Sequence, residues 1–185
     1  NPIGARILQA KGYPAVATAS AAVSASLGYK DGERIKRATL IDVIGRIARS
    51  VDVPVTADVE AGYGKDASEL EETVRAVIEA GVVGINIEDG SGDGKALRSI
   101  DDQCTRISAA RGLAARHGLH LVINARIDSY LSSSVASVAD ATEDAVLRAG
   151  AYWRAGADCV YPIGPADEET VEDLQRAVAR VKALF

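Results

Sequence analysis

The feature that most constrains this chain is an alternation. Short, nearly continuous apolar runs rich in Val, Ile and Ala are separated by longer stretches whose apolar residues recur with a helical period. Such a pattern is what βα units and a parallel sheet produce, since strands covered on both faces carry no polar alternation. Five strands are expected, over 15–19, 53–58, 82–88, 120–126 and 158–163. Helices are expected between them. The stretch 39–50 places Leu40, Val43, Ile44 and Ile47 on one face, and 68–80 does so with Leu70, Val74 and Ile78 before stopping at Gly81. The stretches 101–117 and 139–155 follow, the latter ending at Gly156. A capping Asp167 opens a last helix through Val171, Leu174 and Val178.

Two architectures accommodate this alternation: an open doubly wound sheet and a closed eight-stranded barrel. No Gly-x-Gly-x-x-Gly or Gly-x-x-x-x-Gly-Lys turn follows any strand, which removes the usual nucleotide signature of the open sheet. A (β/α)8 barrel of the TIM type needs about 250 residues. This chain has 185, shows five βα units and reads as starting in the loop after a first strand, so residues 1–185 are expected to form a single incomplete (β/α) barrel domain. The net charge of −5, with both signs interspersed, offers no basic stripe and argues against nucleic acid as a partner. No apolar run approaches the roughly 20 residues that cross a bilayer, and the N-terminus lacks the order of a signal peptide. A soluble cytoplasmic protein without a membrane partner is the expectation. Cys104 and Cys159 lie far apart without ligand spacing and read as ordinary buried residues; His117 and His120 flank a turn at the N-terminal end of a strand and carry no assigned chemistry.

The functional signal lies at the other strand ends. Residues two apart on a strand share a face, which groups Thr56, Asp58 and Glu60 on the second strand, Asn86 and Glu88 on the third, and Asn124, Arg126 and Asp128 on the fourth. Each group is polar and C-terminal, where parallel barrels build active sites. Four carboxylates and one guanidinium in one funnel repel unless compensated, because a bare buried charge is expensive. A divalent cation compensates them. An all-oxygen set without Cys or His favours Mg²⁺, or Mn²⁺, over zinc, and Mg²⁺ touches only one or two carboxylates while keeping its waters. The plainer alternative is that each acid caps a helix or pairs with a neighbour, Arg126 then being a counter-ion to Asp128 or Glu88. The planar fork of Arg126 is equally the usual device for holding a carboxylate.

These residues carry a family resemblance. Thr56-Ala-Asp-Val-Glu-Ala-Gly-Tyr-Gly64 resembles the Asp-x-Asp-x-Gly-Tyr-Gly segment of the isocitrate lyase/phosphoenolpyruvate mutase superfamily, and Asn86-Ile-Glu-Asp89 its Leu-Glu-Asp. The segment from Thr18 to Asp31 is similar to that family's substrate-carboxylate turn and mobile gate, Asn124-Ala-Arg-Ile-Asp128 to its Arg-bearing strand, and Ala155-Gly-Ala-Asp158 to the entry of the next strand. The resemblance implies a TIM-type barrel in which Asp58 is the direct Mg²⁺ ligand and Glu60 and Glu88 hold metal-bound water. It implies further that Asp31 is the gating-loop aspartate and that Arg126, beside Asn124, grips a substrate carboxylate or phosphonate. Backbone amides around Ser20 and Ala21 would hold the other end of an oxo acid. A homotetramer follows by the same analogy.

The resemblance breaks after Glu88. Where lyases of the superfamily carry a Cys- and His-bearing loop, this chain reads Asp89-Gly-Ser-Gly-Asp-Gly-Lys-Ala-Leu-Arg-Ser99, and Cys104 falls too late, in a helical stretch. That argues against a cysteine-type lyase, and the absence of Asn in the loop argues against a mutase. Lys95 and Arg98 are the long polar side chains left to close over a substrate. The expected function is a Mg²⁺-dependent enzyme acting on a small 2-oxo acid, cleaving or forming a C–C bond in the lyase or decarboxylase manner. Phosphonomutase-like P–C chemistry is the alternative, and a non-catalytic 2-oxo acid binding barrel is the alternative of another class.

Overall fold

A computed structural model of the chain describes residues 1–90, 96–164 and 167–183. Its elements are α1 (Pro2–Ala10), β1 (Val16–Ala17), α2 (Ser20–Ser26), α3 (Arg37–Ala48), β2 (Val55–Asp58), α4 (Ala67–Glu79), β3 (Gly84–Glu88), α5 (Ile100–Arg116), β4 (Val122–Ile127), α6 (Val138–Ala155), β5 (Cys159–Pro162) and α7 (Glu168–Lys182). The five strands form one parallel sheet in the order β1-β2-β3-β4-β5. A doubly wound sheet reverses its strand order at a switch point. No reversal occurs among these five, so each crossover advances the sheet in one direction, as consecutive units of a barrel do.

The period-2 pattern sorts side chains between two layers. Ala57, Ile85, Ile87, Ile123, Ala125 and Ile127 are fully buried against the helices, where they meet Leu40 and Ile44 of α3, Leu70, Val74 and Val77 of α4, and Ile107 and Leu113 of α5. Each Ile, Leu or Val among them contributes on the order of 1.5–3 kcal/mol through burial, and each Ala less. The intervening residues face the inner side, and register aligns them: Asp58 pairs with Asn86, Asn86 with Asn124, and Glu88 with Arg126. Side-chain caps fix where the helices start, with Asp66, Ser99, Ser137 and Asp167 each accepting from a backbone N–H three residues on. Gly156, at φ 108°, ends α6 in the left-handed conformation that glycine adopts freely.

All five expected strands and five expected helices form. The structure corrects the N-terminal reading: the segment ahead of β1 is not loop but helix α1, started by the Asn1 side chain, which accepts from Gly4 N at 2.9 Å, with Pro2 at a position where its missing N–H is harmless. The expected turn after β1 also contains a helix, α2. The cysteines are the second correction. Cys104 is half-buried and Cys159 is exposed. Cys159 and Tyr161 stand opposite Asn124 and Arg126 on the inner side, where among the described residues no further strand covers β5, and Tyr161 is accordingly 47% exposed. No helix among the described residues is long and apolar enough to cross a membrane.

Candidate active site

Two tiers of polar side chains rise along the inner face of β2, β3 and β4. The lower tier is an amide relay: Asn124 Nδ2 donates to Asn86 Oδ1 at 2.7 Å, and Asn86 Nδ2 to Asp58 Oδ1 at 3.3 Å. Asp58 also accepts from the backbone N–H of Ser20 (2.9 Å) and of Glu60 (3.2 Å), while its own N–H donates to Thr18 Oγ1 at 2.9 Å. Register alone puts the three strands' side chains at one level, and the β1–α2 turn closes the row.

The upper tier carries the charge. Arg126 reaches Glu88 Oε2 through Nη1 at 2.9 Å and grips Asp128 with Nε to Oδ1 at 2.7 Å and Nη2 to Oδ2 at 3.1 Å. This fork-on-carboxylate geometry fixes the guanidinium plane. A cavity of about 280 Å³ opens beside it, with Asp31, Glu60, Glu88 and Asp128 as its acids and Arg34 and Arg126 as its bases. Burial pushes the Glu88 carboxyl up to about 8; Arg126 opposes that, and Asp128, Asp58 and Glu60 add to it. The main cause is the withdrawal of water from the carboxyl, with the neighbouring acids a lesser one.

Asp31 comes to the cavity on a loop held by Glu60. Glu60 Oε2 accepts from the backbone N–H of Gly32 at 2.8 Å and from that of Glu33, and Oε1 accepts from the Tyr63 hydroxyl at 2.7 Å. The Glu33 carboxylate in turn accepts from Tyr63 N at 2.6 Å. Glu33, Glu60 and Tyr63 all have left-handed backbones, with φ of 56°, 53° and 54°.

Behind β3 lies a second carboxylate cluster. Asp89, fully buried, accepts from Asp128 N (2.9 Å), Arg148 Nη1 (3.1 Å) and the Tyr152 hydroxyl (2.6 Å). Arg148 also bonds Asp144 and the carbonyl of Arg98. The segment after β3 is anchored here: Arg98 N donates to Asp89 O at 2.8 Å, Gly90 and Leu97 form an isolated antiparallel bridge, and Ala96 and Leu97 line the cavity.

The sequence-expected site residues therefore divide. Asp31, Glu60, Glu88 and Arg126 meet at the cavity; Asp58 and Asn124 lie one tier below it, in the relay. The Ser20 amide is turned onto Asp58, and Ala21 is exposed on α2, so neither lines the cavity. Lys95 lies outside the described residues. Arg98 does not reach over the cavity: its guanidinium bonds Asp102 and the carbonyls of Gly64 and Lys65, because the start of α5 draws it sideways. Glu60 is engaged by two backbone amides and a tyrosine, a set of partners that no spacing in the sequence announces. Among the described residues, no group of three or more His, Cys, Asp or Glu side chains is close enough to hold a metal ion by direct ligation. Arg34 and Glu33 carry no signal of their own in the sequence, whereas the pairing of Arg126 with Asp128 and Glu88, open as an alternative there, is present in the structure.

A family model for phosphoenolpyruvate phosphomutase matches residues 1–184. A 2-methylisocitrate lyase of Aeropyrum pernix is 35% identical over 99% of this chain, and an oxaloacetate decarboxylase of Paraburkholderia xenovorans is 32% identical over 96%. The chain spans 57% and 59% of those two proteins' own lengths. In solved structures, 2,3-dimethylmalate lyase, a member of the PEP mutase/isocitrate lyase superfamily, superposes with a TM-score of 0.84 at 28% identity, covering 97% of this chain and 61% of that one.

Proposed function

Since this chain belongs to the phosphoenolpyruvate phosphomutase family, we propose that it is the site-bearing part of a Mg²⁺-dependent enzyme that cleaves or forms a C–C bond beside the keto group of a small 2-oxo acid, as a lyase or decarboxylase. The observation that carries this reading is the charge around the cavity: four carboxylates face it against two guanidiniums. A dianionic substrate entering such a site meets net repulsion, and a divalent cation reverses the sign.

The residues present fit such a cation. The candidate donors are carboxylate oxygens, as Mg²⁺ prefers, and an ion of this kind touches one or two carboxylates and keeps its waters. Asp58 and Glu88 are the acids assigned to it; Mn²⁺ takes the same donors. When bound, such a cation would supply Lewis-acid chemistry, stabilising negative charge that develops on the substrate.

The chain's own groups do the rest. Arg126 binds the substrate carboxylate, with Asp128 fixing the plane of its fork, and the Asn124–Asn86 relay holds Asp58 in one orientation. Asp31, at the exposed rim, moves the proton to or from the substrate carbon. The cavity is small beside those that take drug-sized ligands, which supports a small acid as substrate. The loop after Glu88 lacks a cysteine and favours the decarboxylase over the methylisocitrate lyase manner.

The test is thermal stabilisation of the full-length protein by Mg²⁺ and oxalate, singly and together, in wild type and Asp58→Ala. A ligand that binds the native state raises its melting temperature by mass action. A shift that needs both components and disappears in the variant supports the reading and leads to oxaloacetate turnover assays against a Mg²⁺-only control. No shift in the wild type overturns it.

A further inference from the structure

We propose that Glu33, Glu60 and Tyr63 are positioning residues, a staple between the loop after α2 and the loop after β2 that sets Asp31 at the cavity, and that the Glu60 carboxylate serves this staple in place of the cation's water shell. The inference rests on the reading of the cavity as the functional site.

The geometry is reciprocal. Glu60, from the β2 loop, takes the amides of Gly32 and Glu33; Glu33, from the Asp31 loop, takes the amide of Tyr63; and the Tyr63 hydroxyl returns to Glu60. Three hydrogen bonds join the two short segments, and the fourth, from the Tyr63 hydroxyl to Glu60, closes the circuit within the β2 loop. Glu60 is only 2% exposed, and its two oxygens carry three of these bonds. Each acceptor spent on a protein amide is one fewer for a metal-bound water.

The backbone points the same way. Non-glycine residues with positive φ are uncommon, and each costs on the order of 1–3 kcal/mol when it lies in a sparsely populated region. Among the described residues there are three, Glu33, Glu60 and Tyr63, and all are members of this circuit. The staple thus spans left-handed backbone in both loops, at Glu33 on one side and at Glu60 and Tyr63 on the other. Its consequence at the site is direct, because Asp31 immediately precedes Gly32, whose N–H is bound to Glu60. The side-chain length matters as well: an aspartate at 60 carries its carboxylate one methylene short of the Gly32 and Glu33 amides.

That length gives a test in which the two roles of Glu60 predict opposite orders. Backbone hydrogen–deuterium exchange is measured across 29–36 and 60–66 of the full chain for wild type and for Glu60→Gln, Glu60→Asp and Glu60→Ala. The glutamine keeps an oxygen for the two amides and presents its NH₂ to the Tyr63 hydroxyl oxygen, so its exchange stays close to wild type. The aspartate and alanine variants exchange about tenfold faster at Gly32 and Glu33. If the aspartate is protected and the glutamine is not, the staple is wrong and the carboxylate charge is what matters. Should a Glu60 variant fail to fold, Tyr63→Phe, which removes one hydroxyl, and Glu33→Ala, which frees the Tyr63 amide, give the same reading, and unchanged exchange in both overturns the proposal.

Kinetics with Mg²⁺ and oxaloacetate as probe separate positioning from binding. Tyr63→Phe lowers kcat several-fold with little change in KM, since Asp31 is displaced while Arg126 is untouched. A change confined to KM contradicts the assignment. Absence of oxaloacetate turnover in the wild type refutes the proposed activity and leaves the exchange experiment to decide the staple.

Discussion

Two carboxylates hold loops at the same end of this sheet, and they do so differently. Asp89 is fully buried, paired with the cationic Arg148 and with Tyr152, and backed by the ion pair of Arg148 with Asp144. Glu60 is nearly as buried, yet its partners are two neutral amides and a hydroxyl, and its segments carry left-handed backbone. The first cluster ties the segment after β3 to α6 and to the start of the β4 loop. The second ties together two loops that both border the cavity. The difference teaches where stability and function part: a charge-paired, desolvated knot resists opening because each partner left alone is a buried charge, whereas a staple of neutral donors holding strained backbone releases strain as it gives up bonds.

The largest expected effect falls on the knot. Arg148→Ala strands Asp89 without its cation and lowers unfolding free energy by about 3–5 kcal/mol, read from the urea midpoint at constant m-value. Tyr152→Phe removes one hydrogen bond from the same carboxylate and lowers it by about 1–3 kcal/mol. Glu60→Ala lowers global stability by about 1 kcal/mol or less, because relief of the positive-φ strain at Glu33, Glu60 and Tyr63 offsets the lost bonds. If Glu60→Ala is as destabilising as Arg148→Ala in the same denaturation series, the contrast between the two clusters disappears.

An effect with a definite sign comes from Glu88, which stands between them. Its folded pKa, about 8, lies above the ordinary 4.5. Between those values the folded state keeps a proton that the unfolded state releases, so stability falls as pH rises through that window. In EDTA the melting temperature is expected to decline from pH 5 to pH 8, and Glu88→Gln to flatten the decline. An unchanged slope in the variant would place the titration elsewhere.

Much of this was legible beforehand. The strands were found because their apolar runs are continuous, and the inner-face groups Asp58, Asn86, Glu88, Asn124, Arg126 and Asp128 followed from parity alone. Helix α1 escapes the sequence reading because it is only nine residues long and opens with Pro2 and Gly4, which read as loop although Ile3 and Ile7 keep a helical spacing, and the shortness of β1 is invisible for the same reason that all element ends are. The exposure of Cys159 went unread because an apolar strand does not announce whether another strand covers it.

The sequence by itself determined the βα alternation, the parallel order that its crossovers permit, and the strand-end acids, since these depend on periods of 2 and 3.6 that any local stretch displays. The tertiary structure alone decided which acids face the cavity, that Ser20 turns its amide onto Asp58, and that Glu60 binds a loop beginning 28 residues earlier at Gly32. The physical reason is that such contacts join segments with no periodic relation to one another. Their partners are chosen by loop geometry and backbone amides, which every residue possesses and no residue type reveals.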